Sequence, residues 1–365
     1  MITNNKKRIL LCGANGYIGV ALFEYLKEMG FEVFGIDNEM RERNVINIGG
    51  ASLTRNSKPA QFKLDISTEY KELRELLQGL RPSVIINLAQ QPSAPWSFVN
   101  AENAKETQRN NLVGNLNVLW AVKEVDPSIH IIQLGTAGEF PDWLYPDGIE
   151  VPEGSRVTVQ RNGKDWTIPT PRYGGSFYHL SKTYSSLNSD YACKIWGLSI
   201  TDINQGIVYG HYGNTRFDYD EYFGTVVNRF LVQSIIGIPL TIYGKSGGQM
   251  RSFINILNSL QAIELLINNP ANQGEFRTIL QLTELYKVRD IAEMIRGITG
   301  CEIQFIDNPR VESDENTFTY ANKQLKTLGL QTIHMTDELQ KLVELVSSKK
   351  DNIIKEVIMP KHSWR

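Results

Sequence analysis

Gly13-Ala14-Asn15-Gly16-Tyr17-Ile18-Gly19 stands between a short apolar run, Arg8–Cys12, and a segment of helical spacing at 17–29. In that segment Ile18, Leu22, Tyr25 and Leu26 share one face. A strand–turn–helix gives each glycine a task. Gly13 permits the tight turn, Gly16 lets the backbone approach a pyrophosphate, and Gly19 allows the helix to pack closely on the strand. The helix N-terminus, with Asn15, Tyr17 and Ile18, then faces phosphate charge. A second strand is expected at 32–36, and Asp37, followed by Asn38, closes it. A carboxylate there accepts hydrogen bonds from ribose hydroxyls and repels a 2′-phosphate, so the pattern favours NAD over NADP. The competing reading is a plain strand–turn–helix with a surface aspartate.

Outward from this stretch, strands are expected at 62–66, 84–88 and 129–134, separated by helices at 69–79 and 100–124. Alternating strands and helices predict an α/β fold: a Rossmann-type, doubly wound parallel sheet covered on both faces. Asp65 and Ile66 at the third strand, and Leu88 and Ala89 after the fourth, lie against the dinucleotide or are ordinary turn caps. Val157, Val159, Asn162-Gly163, Trp166 and Ile168 predict a β-hairpin. A long helix is expected at 176–196 and a strand at 199–204. The NAD-binding domain is placed at 1–205, with a returning segment near 238–268. A smaller C-terminal α+β lobe at 206–365 is expected to hold the substrate.

Tyr178-His179-Leu180-Ser181-Lys182 falls in the long helix, where i, i+4 spacing puts Tyr178 and Lys182 on one face. A phenol is a poor base at neutral pH. A neighbouring ammonium stabilises the phenolate, and Tyr178 then takes a proton from a hydroxyl while hydride leaves the same carbon. Lys182 also reaches the nicotinamide ribose. Thr136, after the fifth strand, is placed to hydrogen-bond the reacting oxygen. Glu139 is the candidate for moving a carbon-bound proton, or else a solvated residue beside a Thr cap. His179 is a second proton carrier or a packed helix residue. Asn204, Gln205 and Arg251 follow later strand ends or turns, and a guanidinium suits a diphosphate. Arg229 and Arg310 are further cations.

The 365 residues carry a net charge of −2. No basic excess exists to hold a polyanion, so a nucleic-acid role is not expected. Three dispersed cysteines predict reduced thiols rather than a disulfide framework. The five histidines show no metal-ligand spacing. No run of 18 apolar residues predicts a membrane span. The start, MITNNKKR, has no apolar core of a targeting segment, and a cytoplasmic location is expected.

Longer stretches carry a resemblance. Gln91-Pro-Ser-Ala-Pro-Trp-Ser97, 109–119, 176–182, Thr201-Asp-Ile-Asn-Gln-Gly206, 217–224, Gly274-Glu-Phe-Arg277, 308–312 and Ile358-Met-Pro360 all contribute. At these residues the chain resembles the extended short-chain dehydrogenases that act on nucleotide sugars, the NAD-dependent epimerase/dehydratase family. Within it the chain is similar to the UDP-sulfoquinovose synthases. The resemblance implies that bound NAD oxidises C4 of UDP-glucose, that the C5 proton and the C6 hydroxyl then leave, that sulfite adds at C6, and that hydride returns to C4. It implies redox roles for Thr136, Tyr178 and Lys182, and proton transfers by Glu139 and His179. It adds Asn111 to the cofactor set. It gives Gln91, Thr136, Asn204, Arg229, Tyr243, Arg251 and Arg310 to the nucleotide sugar. It makes a homodimer through the helices at 100–124 and 176–196 the expected assembly. Ala137 and Gly138 stand where sugar 4,6-dehydratases carry an Asp. A 4,6-dehydratase or 4-epimerase is the alternative, and a non-catalytic sensor of NAD or nucleotide sugars is another, although sensing needs neither Tyr178 nor Lys182.

Overall fold

The computed structural model describes residues 6–359 except 55–56, 147 and 311. Residues 1–5, Val311, Pro360 and His362, on which some of the readings above fall, lie outside the described residues. The chain opens with β1 (Arg8–Cys12), α1 (Tyr17–Glu28), β2 (Glu32–Asp37), α2 (Met40–Asn47), β3 (Phe62–Lys63), α3 (Tyr70–Leu80), β4 (Val84–Asn87), α4 (Ala101–Gln108), α5 (Gly114–Val125) and β5 (His130–Thr136). Short β6 (Glu150–Val151) precedes a hairpin of β7 (Arg156–Arg161) and β8 (Lys164–Pro169), then α6 (Phe177–Trp196) and β9 (Ser199–Gln205). Asn162 and Gly163 join the hairpin with φ of 53° and 70°, the left-handed pair that a type I′ turn requires.

Strand side chains alternate between faces, and β1 shows what that dictates. Ile9 and Leu11 enter one core with α1, while Leu10 and Cys12 enter the opposite core with α3, α5 and α6. Both faces are therefore apolar, as a buried parallel sheet demands. With a later strand, β13 (Phe276–Gln281), the sheet order is β13-β9-β5-β4-β1-β2-β3, all parallel. Its order reverses between β1 and β4, which puts the ligand crevice beyond their C-terminal ends.

Two expectations change. The third strand stops at Lys63 instead of running to 66, because the Asp65 carboxylate accepts from Ser67 N at 2.8 Å and turns the chain. The returning segment also differs from 238–268. After β10 (Ile207–Tyr209) and α7 (Val226–Ile236), β11 (Leu240–Tyr243) pairs with a strand at Ile303–Ile306, and its Leu240 and Ile242 are buried in the second-lobe core. β12 (Gly248–Asn255) also stays in that lobe, paired with β10. The chain returns only with α8 (Ile256–Asn268), whose Ile256, Leu260, Ile263 and Leu266 join the core around α1, and with β13 (Phe276–Gln281), which pairs with β9. Among the described residues no helix is long and apolar enough to cross a membrane, and no group of metal-ligating side chains occurs.

Candidate active site

The β1–α1 turn needs glycine on two counts. Gly13 has φ +83°, and a Cβ there would lie 2.7 Å from the Leu88 carbonyl carbon of the neighbouring strand end. This close crossing leaves a bare backbone cradle at the mouth of the sheet. Asp37 stands beside it, its carboxylate accepting from Asn15 N at 2.9 Å and from Glu39 N at 2.6 Å. Burial pushes this carboxyl up, against the pull of those two amides. The cradle and the acceptor at the end of β2 fit a dinucleotide that has free ribose hydroxyls.

One continuous cleft of about 710 Å³ runs from this turn to the second lobe. Of the residues expected at the cofactor, Gly13, Asn15, Gly16, Tyr17, Ile18, Gly19, Asp37, Asn38, Ile66, Leu88, Ala89, Tyr178, Lys182 and Gln205 line it. Two expected residues do not. Asp65 is spent on its own turn and on orienting Asn38, whose Nδ2 donates to it at 3.1 Å. Asn111 is fully buried behind the wall, donating to Gln91 O at 3.1 Å and to Ser181 Oγ at 2.9 Å. The cause is a π-helical turn at Arg109–Val113 between α4 and α5, which presents Asn110 to the cleft instead.

Tyr178 and Lys182 lie in the first turns of α6, which Ser176 caps by accepting from His179 N at 3.0 Å. Lys182 Nζ donates to Leu134 O at 2.6 Å. Burial pushes the pKa of the Tyr178 phenol well above the usual phenol value, and the Thr136 hydroxyl beside it opposes that shift. Burial also pushes Lys182 down, to about 7, while Glu139 and Asp202 favour its ammonium form. His179 is held neutral by burial and by Arg310, Arg251 and Lys182, with a pKa pushed down to about 3. Its Nδ1 is 2.8 Å from Ser176 Oγ. A Cβ on Gly138 would lie 2.5 Å from His179 Nε2, so glycine there is what lets the ring reach the cleft.

Glu139 is not at the cleft, contrary to its expected role in moving a carbon-bound proton. It is fully buried and does not line the cleft. Its Oε1 accepts from Thr136 N at 3.0 Å and from Asn204 Nδ2 at 3.1 Å, and its Oε2 accepts from Arg172 Nη1 at 3.1 Å. The carboxylate closes a capping box on the turn at 137–139 and is withdrawn beneath the floor. Asn204 is withdrawn with it and does not meet the substrate region. Gln91 is likewise fully buried and structural, its Nε2 donating to Ser93 O and to Thr107 Oγ1, each at 2.9 Å.

At the second lobe, Arg229, Tyr243, Arg251 and Arg310 line the cleft together with Thr136. Arg229 donates to the Tyr243 hydroxyl at 2.6 Å, and its guanidinium carbon and that of Arg310 lie 5.1 and 5.8 Å from the Tyr243 ring centre. Arg251 pairs with Glu312. Three guanidiniums against one carboxylate leave a net positive region suited to a diphosphate. The sequence reading missed Arg216, which also lines the cleft and pairs with buried Asp218 at 2.9 Å. Asp218 binds Arg41 at 2.7 Å as well. The signal was present in 217–224, where Asp218 and Asp220 alternate with apolar Phe217 and Tyr219. It also missed Arg172, which stands between Pro171 and Tyr173-Gly174-Gly175 with no periodic neighbour.

Residues 9–280 match the family described as NAD dependent epimerase/dehydratase. The chain is 36% identical to the chloroplastic UDP-sulfoquinovose synthase of Spinacia oleracea, over all of this chain and 80% of that one. It is also 36% identical to the UDP-sulfoquinovose synthase of Sulfolobus acidocaldarius, over 98% of both. Among solved structures, the UDP-glucose 4-epimerase of Thermotoga maritima with UDP-glucose superposes with a TM-score of 0.69. That superposition covers 95% of this chain and all of the other, at 19% identity, and so shows a shared fold.

Proposed function

Because the chain belongs to the NAD dependent epimerase/dehydratase family, we propose that it converts UDP-glucose and sulfite to UDP-sulfoquinovose. The observation that carries this reading is the convergence of Thr136, Tyr178, Lys182 and His179 on the cleft that Arg229, Arg251 and Arg310 also line. Bound NAD supplies a reversible hydride acceptor. Gly13, Gly16, Asp37 and Asn38 hold its pyrophosphate and ribose side, and Lys182 its nicotinamide side. The three arginines take the UDP diphosphate, which delivers the hexose to Thr136 and Tyr178.

Tyr178 Oη removes the proton of the C4 hydroxyl, with Thr136 Oγ1 holding the same oxygen and the Lys182 ammonium favouring the phenolate. The C4 ketone acidifies the C5 proton. With Glu139 withdrawn, His179 Nε2 is the cleft-facing group for that proton, and the neutral imidazole is in the right state to accept it. It passes the proton to the departing C6 hydroxyl, which leaves as water; sulfite, entering as bisulfite, forms the new C6–S bond on the resulting alkene, and the bisulfite proton, relayed by His179, is delivered to C5. Tyr178 returns its proton to O4 as the ketone is reduced.

The stripe of exposed Tyr184, Leu187, Tyr191 and Ile195 on α6 supports a homodimer through that helix. Three unpaired cysteines support a reducing, cytoplasmic setting. The deciding experiment incubates purified protein with UDP-glucose, with and without sulfite, and analyses the products by mass spectrometry. A sulfonated UDP-hexose formed only with sulfite is expected. A 4-keto-6-deoxy sugar or UDP-galactose formed regardless of sulfite would assign a dehydratase or epimerase instead. No turnover at all with bound ligands would leave the sensor.

A further inference from the structure

Beneath the floor of the cleft lies a buried ion cluster, which meets the redox site at the Thr136 backbone. The Arg172 side chain is 5% exposed, and those of Glu139 and Asp202 are fully buried. Arg172 Nη1 bridges Glu139 Oε2 at 3.1 Å and Asp202 Oδ2 at 3.0 Å, while its Nη2 donates to Thr278 Oγ1 at 3.0 Å. One guanidinium therefore ties the turn after β5 to β9 and β13. Ser186 of α6, one turn beyond Lys182, donates to Asp202 Oδ2 at 2.8 Å. Glu139 in turn fixes Thr136 N and, through Asn204, the end of β9.

Thr136 and Tyr178 thus take their relative position from two carboxylates that Arg172 bridges, with the Lys182 ammonium acting on both from farther off. Two carboxylates sharing a dry site do not both stay ionised without a cation between them. We propose that Arg172 is a positioning residue of the redox site, holding the Glu139 and Asp202 carboxylates together so that Thr136 meets the Tyr178 phenol. The inference rests on the reading of Tyr178 and Lys182 as that site. The other titratable groups around the pair are Tyr145, Tyr178 and Lys182.

Removing the guanidinium has a signature that a packing role lacks. In Arg172→Gln the pair retains a shared proton at low pH. As pH rises that proton leaves, two bare carboxylates repel, and the turn at 136–139 loosens. Glu139 is already raised by burial, with Arg172 opposing, so its loss moves this transition further up into the neutral range.

The test compares wild type, Arg172→Gln, Arg172→Lys and Glu139→Gln. Turnover of UDP-glucose and melting temperature are each followed from pH 6 to 9. We expect Arg172→Gln to lose kcat about 10- to 100-fold at pH 8 with KM changed less than about threefold. Its kcat and melting temperature both fall with rising pH relative to wild type. Arg172→Lys, which keeps the charge, retains the wild-type pH profile in both readouts. Glu139→Gln leaves an Arg172–Asp202 pair, so it stays folded, and it loses kcat to a similar extent without the new pH dependence. Near wild-type kcat in Glu139→Gln, or melting of Arg172→Gln parallel to wild type across pH, would overturn the proposal. The melting arm needs no substrate. A wild type that does not turn over UDP-glucose would therefore refute the function above while the cluster is still decided by its titration.

Discussion

Lys182 Nζ lies 5.6 Å from the centre of the Tyr178 ring while donating a 2.6 Å hydrogen bond to the Leu134 carbonyl. The lysine is thus anchored to the end of β5 and faces the phenol one helical turn away. Anchoring restricts a long side chain that would otherwise lose rotamer entropy on each encounter with the phenolate.

Tyr178→Phe removes the proton acceptor and leaves the ring. Turnover of UDP-glucose should fall at least about 100-fold, the lower bound for a positioned general base. Calorimetric affinity for UDP-glucose should stay within a few fold. Residual turnover above about a tenth of wild type would move the base elsewhere.

The depressed Lys182 pKa has a stability consequence with a definite sign. Its folded value, about 7, is below the ordinary lysine value of 10.5. Between these the unfolded chain binds the extra proton, so stability from this group rises with pH, by at most about 1.4 kcal/mol per unit. Wild type should gain melting temperature relative to Lys182→Met from pH 7 to about 9.5. Parallel curves would show that the ammonium is already compensated in the ligand-free protein.

Gly138→Ala places a methyl 2.5 Å from His179 Nε2. The imidazole is tethered to Ser176 and must swing away, so turnover should drop more than about tenfold while the far end of the cleft keeps its affinity for UDP. A fully active variant would show that His179 has no part in proton transfer.

Arg251→Ala removes one of three cations and leaves Glu312 facing the diphosphate. A charged hydrogen bond is worth about 1.5–3 kcal/mol, so KM for UDP-glucose should rise roughly 10- to 100-fold. Because the diphosphate does not change during reaction, kcat should move far less. A kcat defect at constant KM would place Arg251 near the hexose.

Protein denatured in acid should release NAD and not NADP, detectable by chromatography. Asp37 accepts two backbone amides, which fix its carboxylate beside the glycine turn, where a 2′-phosphate would meet it. Recovery of NADP as the main species would overturn the assignment of that carboxylate.

The parts of the site legible in the sequence are those set by local geometry. The glycine turn, Asp37 and the Tyr178–Lys182 spacing follow from one strand–turn–helix and one helix, and all of them line the cleft. Glu139, Asn204, Gln91 and Asn111 were misplaced because their orientation is fixed by tertiary partners. A turn that hydrogen-bonds its own carboxylate hides Glu139, and a π-turn rotates Asn111 behind the wall. Arg172 was illegible because its partners are 30, 33 and 106 positions distant. The return of the chain was expected too early for a related reason. β11 is as apolar as a central strand, and only its pairing with 303–306 shows which sheet it serves.

The seventh strand bears on how the protein must be made. β13 covers β9 and supplies Thr278 to Arg172, yet it is synthesised some 70 residues after β9 (Ile200 pairs with Phe276). Until it emerges from the ribosome, β9 is an open edge with a full row of unpaired amides and carbonyls beside buried carboxylates. A fragment ending near residue 206 would contain every group of the redox site and still lack the strand that organises it. Such a fragment would recruit foreign strands and precipitate.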